Sequence, residues 1–123
     1  MDWTFRTDTP IYTQLCERLT LAIASGGYAP GERLPAVREL ALDAGVNPNT
    51  VQRALSELER LGLVYTQRTA GRFVTEDAER IGQERLRIAE ERARYFLGAM
   101  EELGYNRIQT VMLLEKMRGE MEI

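Results

Sequence analysis

The 123-residue chain predicts a mostly helical α+β fold: three short helices closed by a two-stranded hairpin, then a tail of two further helices. Three observations predict it. Apolar residues recur at three- and four-residue steps in several separate stretches. Glycines and prolines punctuate those stretches. Between Leu63 and Thr75 the period drops to two. A hydrophobic content of 44% supports one compact domain with a modest core plus an appendage.

Thr9-Pro10 opens the first helix with a cap-like residue and a proline at the start, and Ile11, Leu15, Leu19, Ala22 and Ile23 give it a core stripe. Gly26-Gly27 ends it. Tyr28-Ala29-Pro30-Gly31 is turn chemistry, with Pro30 presetting the turn and Gly31 permitting positive φ. A short link with one β-bridge then reaches Leu34-Pro35. The second helix runs from about Pro35 to Ala44, with Val37, Leu40 and Ala41 inward and Arg38, Glu39 and Asp43 outward. Gly45 breaks it, and only a few residues separate it from the next helix, the spacing of a helix-turn-helix.

The third helix has the clearest start. Asn47 can cap it, Pro48 fits the first helical position because its missing N–H is no loss there, and Asn49 and Thr50 fill the first turn. Val51, Ala54, Leu55, Leu58 and Leu61 form an apolar stripe, which turns Asn49, Gln52, Arg53, Ser56 and Arg60 to the other side. Gly62 stops the helix. Leu63, Tyr65 and Gln67 then alternate with Val64, Thr66 and Arg68, Thr69-Ala70-Gly71 turns the chain, and Arg72-Phe73-Val74-Thr75 returns as a second strand. Helix, helix-turn-helix and hairpin together make a winged helix-turn-helix over residues 1–75. Its third helix is read as a DNA-recognition helix, with Arg68 and Arg72 flanking the wing tip where it would meet a DNA backbone or minor groove.

Residues 76–123 read as a dimerisation tail. Leu86, Ala89, Ala93, Phe96, Met100 and Leu103 repeat with a period of 3.5, a coiled-coil-like seam in which small alanines permit close approach. Gly104-Tyr105-Asn106 turns the chain. Ile108, Val111, Met112, Glu115 and Met117 begin a last helix whose apolar residues can pack back on the first of the tail. Two helices this short cannot enclose their own core, so the expected partner is a second copy, giving a homodimer. A small-molecule effector between paired tails would be lined by Phe96, Met100, Tyr105 and Met112.

The net charge of −3 is unevenly distributed. Residues 1–74 carry eight acidic and eight basic side chains, whereas residues 75–123 carry eleven acidic and eight basic, so the acidity belongs to the tail. A neutral front half binds DNA when its arginines share a face, modestly as one copy and with steep salt dependence. Cys16, the single cysteine, sits on the apolar side of the first helix with Leu15 and Leu19 and reads as an inert buried thiol. Histidine is absent, so no metal site, cofactor or nucleophile–base pair is expected; Ser25 and Ser56 lie in ordinary helical contexts, and no enzyme is predicted. No run approaches the roughly 18 apolar residues of a membrane span. Asp2 and Arg6 stand near the start in place of a basic-then-apolar leader, so a cytoplasmic protein is expected.

Pro10-Ile11-Tyr12 with Gln14-Leu15, Pro30-Gly31, Leu34-Pro35-Ala36-Val37-Arg38-Glu39-Leu40-Ala41, the stretch from Val46 to Ala54, and Gly71-Arg72-Phe73-Val74 together resemble the GntR family of bacterial transcription regulators. The 49 residues after Val74 and the Asn-Pro-Asn-Thr-Val-Gln-Arg helix start resemble its YtrA subfamily, in which the tail is a dimerisation element. The resemblance implies that Arg38 contacts phosphate or bases and that Asn47, Asn49, Thr50 and Gln52 do the reading. Pro48 stands where some other subgroups carry a base-contacting Arg. At the wing tip, Thr69 replaces a usual Gly and Arg72 a usual Thr, beside Gly71. The expected function is a sequence-specific DNA-binding transcriptional regulator, a repressor, holding a double-stranded palindromic operator as a homodimer through the 47–61 helix and the 65–74 wing. Asn49, Gln52 and Arg53 would reach base edges or phosphates, amides suiting adenine and arginine guanine, while Arg38, Arg68 and Arg72 anchor the backbone. The alternative is a winged helix that binds only protein, for which the acidic net charge is the best support.

Overall fold

The computed structural model describes residues 3–121. Two compact units divide the chain between Arg85 and Leu86. The first holds α1 (Ile11–Ala24), α2 (Val37–Ala44), α3 (Pro48–Arg60), the antiparallel strands β1 (Val64–Gln67) and β2 (Gly71–Val74), and the first turns of α4 (Ala78–Glu102). The second holds the rest of α4, α5 (Arg107–Lys116) and a four-residue α6 (Arg118–Met121). The tail was expected to contain two helices, and α6 is an addition.

In the first unit α1 packs chiefly on α3, and α2 packs on α3. Leu15, Leu19 and Ile23 of α1, Leu40 and Ala41 of α2, and Val51, Ala54, Leu55 and Leu58 of α3 are buried in one core with Leu34, Leu63, Val64, Val74 and Ile81. The expected stripes are therefore largely realised, with defined exceptions. Ile11, in the first turn of α1, is exposed, Ala22 is half-buried, and Leu61 is the half-buried C-cap of α3. The second helix starts at Val37, two residues later than its pattern suggested, because Ala36 holds an extended ψ of 158° as N-cap. The strict alternation expected from Leu63 also fails at its start. Leu63 and Val64 are both buried, since Leu63 belongs to the turn after α3, where its N–H donates to Leu58 C=O.

Gly45 ends α2 with φ 68°, the left-handed conformation that a side chain disfavours, and lets the Val46 N–H close on Ala41 C=O. The hairpin register pairs Val64 with Val74 and Gln67 with Gly71, and Tyr65 stacks on Phe73 across it. The expected bridge is present between Arg33 and Phe73, so the link before α2 adds a third extended segment to the wing.

The N-terminal segment is tied down by a glutamine. Buried Gln14 accepts from Arg6 N–H and donates to the carbonyls of Arg6 and Thr9, while Trp3 Nε1 donates to Asp43 at 2.7 Å. The start of α4 is tied down by arginines. Arg80 Nε donates to Leu61 C=O, Arg85 Nε donates to Ala24 C=O, and Arg80 also pairs with buried Glu84.

In the second unit a reciprocal capping box starts α5. Gln109 N–H donates to Asn106 Oδ1 and Asn106 N–H to Gln109 Oε1, and the hydroxyl of buried Thr110 donates to Asn106 C=O. Arg87–Glu91 and Arg94–Glu90 pairs line α4 one turn apart. No helix among the described residues is long and apolar enough to cross a membrane.

Candidate nucleic-acid interface

The sequence of α3 sets its orientation. Four apolar side chains on one side are fully buried, which leaves Asn49, Gln52, Arg53 and Ser56 exposed on the other, with Thr50 half-buried between. Asn47 does more than precede the helix. Its Oδ1 accepts from Asn49 N–H at 2.8 Å, while its C=O accepts from Thr50 and Val51. Pro48 contributes no N–H at the first position, so the start of α3 is satisfied by one residue.

The exposed polar residues are unequally free. Gln52 receives a long hydrogen bond from Arg72 Nη1 at 3.4 Å, joining the wing to α3. Arg53 lies over the Tyr12 ring of α1, its guanidinium carbon 3.7 Å from the ring centroid, an attraction between cation and ring quadrupole. Arg60 is held by Glu57, and that contact keeps the Glu57 carboxyl below its usual range. The Thr66 hydroxyl donates to Glu59. The C-terminal half of α3 is thus occupied with its own charges, and the available polar groups concentrate in its first two turns.

Among the described residues, Arg38 on α2 and Arg68 at the wing turn are exposed with no side-chain hydrogen bond or ion pair. Thr69 is exposed on the same turn, which Ala70 N–H closes on Gln67 C=O. Gly71 has φ 110°, and the place where a Cβ would sit is 3.1 Å from Arg33 Nε. Arg33 is exposed beside it, and among the described residues its guanidinium has no side-chain hydrogen bond or ion pair, the second such group at the wing; residue-by-residue reading did not single it out. Its signal was its place one residue before Leu34, in the link expected to bridge to the hairpin.

Cys16 is half-buried, less enclosed than expected. Burial pushes its thiol up despite an opposing hydrogen bond from Thr20, so the thiolate is disfavoured.

Comparison with known proteins places this geometry. Residues 11–74 match the family model described as bacterial regulatory proteins, gntR family. The chain is 40% identical over 104 residues to the uncharacterized HTH-type transcriptional regulator YhcF of Bacillus subtilis, covering 85% of this chain and 86% of that protein. It is 43% identical over 74 residues to the HTH-type transcriptional repressor YtrA of the same organism, covering 60% and 57%. A solved GntR family transcriptional regulator from Listeria monocytogenes superposes with a TM-score of 0.82 at 38% identity, over 91% of this chain and 98% of that one. AraR(DBD) in complex with operator ORX1 superposes with a TM-score of 0.57 at 28% identity, over 61% and 96%. The chain belongs to the GntR family of bacterial regulatory proteins.

Proposed function

We propose that this regulator acts in the cytoplasm as a symmetric homodimer that sets two copies of α3 in successive major grooves of a palindromic operator and represses by occluding a promoter. One observation carries the DNA-binding part. The face of α3 opposite the buried core presents Asn49, Gln52 and Arg53 beside a wing bearing Arg33, Arg68 and Arg72. A helix with that polar face fits the major groove, and the unpaired arginines supply the phosphate attraction that dominates affinity. The operator complex of AraR(DBD), a structural neighbour, supports the reading.

Within it, Asn47 acts first as the cap, Asn49, Thr50 and Gln52 face base edges, and Arg38, Arg68, Thr69 and the Gly71 backbone hold the phosphates. Residues 1–75 are the DNA-binding part and residues 76–123 the dimerisation part. The tail's apolar face supports the second role: Leu86, Phe96, Leu103, Ile108, Val111 and Met112 are exposed, with Ala89 and Ala93 exposed and Met100 half-buried along the same seam. A second copy covers such a face at least cost, and an effector that separates or locks the paired tails would control release. The relatives are transcriptional regulators, which supports a non-enzymatic role for this chain.

The test is selection of duplexes from a random pool by the full-length protein, with sedimentation of the free protein and of the complex. A palindromic preference, a dimer in the free protein and two chains per duplex in the complex are expected. A protein that binds no duplex at low salt is instead a protein-interaction module.

A further inference from the structure

We propose that Arg72 is a positioning residue for base recognition: it holds the side-chain oxygen of Gln52, so that Gln52 turns its amide hydrogens to the groove and selects guanine rather than adenine. The proposal rests on the DNA-binding role of α3.

Arg72 is launched from a fixed place. Its residue pairs with Thr66 in β1, and on the other edge its C=O accepts from Leu34 N–H at 2.9 Å. Its side chain is half-buried, and Nε is covered with no hydrogen-bond partner. The stem is therefore packed, and the free end, Nη1, points at Gln52 Oε1 at 3.4 Å, across twenty residues of sequence. That distance is long for a hydrogen bond in water, and excluding water from a groove strengthens such a contact.

The chemistry of the two groups fixes the rest. A guanidinium has only donors, so the glutamine atom facing it must be its oxygen, and the NH₂ group points away. Adenine recognition by glutamine needs both ends of the amide, the oxygen accepting from N6 and the nitrogen donating to N7. Arg72 takes one lone pair of that oxygen and, by fixing the amide, turns the NH₂ group to the groove; in that orientation Gln52 offers donors, and Arg72 beside it offers more. In the major groove guanine presents two acceptors, N7 and O6, and no donor. The wing residue thus sets the base preference of a residue on another element, without itself having to touch the base.

The test is duplex selection by the full-length protein as wild type, Gln52→Ala, Arg72→Met, which keeps the packed stem and removes the donors, and the double variant. The wild type is expected to select guanine at one base pair of each half-site. Both single variants should lose that preference by on the order of tenfold at the same pair, and the double variant no more than either. Gln52→Glu keeps the Arg72 contact but offers acceptors only, so preference there should move to cytosine. Three results overturn the proposal: Arg72→Met weakening all duplexes equally with guanine still preferred, as a phosphate anchor would; adenine at the Gln52-dependent pair; or guanine retained by Gln52→Glu. If the wild type selects no sequence, the DNA-binding role itself fails, and the proposal with it.

Discussion

Replacing Asn47 by Ala should destabilise the N-terminal unit by about 1 kcal/mol, within the roughly 0.5–2 kcal/mol range of helix N-caps. The magnitude follows from which donors depend on the side chain. Pro48 has no N–H, and the N–H groups of Thr50 and Val51 reach the Asn47 carbonyl at 2.9 and 3.3 Å, a bond that alanine preserves. Only the Asn49 N–H, 2.8 Å from Asn47 Oδ1, loses its partner, and water can replace it because the position is exposed. Thermal melts by circular dichroism should show a midpoint lowered by roughly 4–8 °C per kcal/mol for a domain of this size, read at one fixed protein concentration. Asn47→Ser restores an acceptor at the cap and should melt within a few degrees of wild type. If Asn47→Ala melts with the wild type, or Ser loses as much as Ala, the capping account is wrong. If Ser keeps stability but loses operator affinity, Asn47 contacts DNA as well as capping the helix.

Other outcomes follow from single features. Arg38→Ala should weaken binding to all duplexes alike and reduce the slope of log affinity against log salt by about 0.9, as loss of one phosphate contact does; a titration series checks it. Gly45→Ala should cost about 1–2 kcal/mol from left-handed strain alone, since beyond its chain neighbours nothing lies within 4 Å of the added Cβ, and chemical denaturation measures it. Phe96→Asp should give a monomer in sedimentation with weakened operator binding, whereas an unchanged dimer would move the interface away from the α4 seam. Cys16 is protonated more firmly in the fold than in the unfolded chain, so its contribution is complete below the unfolded thiol's ordinary value and lost as pH rises through the higher folded one. Stability should therefore fall more steeply with alkaline pH in the wild type than in Cys16→Ala, as parallel denaturation series would show.

Features that depend on local chemistry were legible in the sequence. Asn47-Pro48 announces the start of α3, Gly45 its separation from α2, and the buried stripe of Val51, Ala54, Leu55 and Leu58 its orientation. The hairpin and its bridge to the preceding link were legible too, because a change of period and a three-residue turn suffice to specify them. What was hidden depends on which elements meet. Nothing local to Arg53 indicates that it rests on Tyr12, forty-one residues earlier in α1. Nothing local to Arg72 indicates that it reaches Gln52. Gln14 lies outside the apolar stripe of α1, and it is buried because three backbone groups of the preceding segment converge on one amide. Long, forked side chains find partners across the fold, and period counting has no access to them.

The arginines at the start of α4 carry a consequence for control. Arg80 and Arg85 place cationic donors on the carbonyls at the C-terminal ends of α3 and α1, where the helix dipoles are negative. Fraying of the first turns of α4 would leave both carbonyls without these donors, so the seating of this segment supports the C-terminal end of the recognition helix. Such a coupling would be reciprocal: a ligand that changed operator affinity by a given factor through this segment would have its own affinity changed by the same factor on operator binding. A signal received by α4 would then need no second conformation of the core to reach the DNA, only a change in how often two arginines are docked.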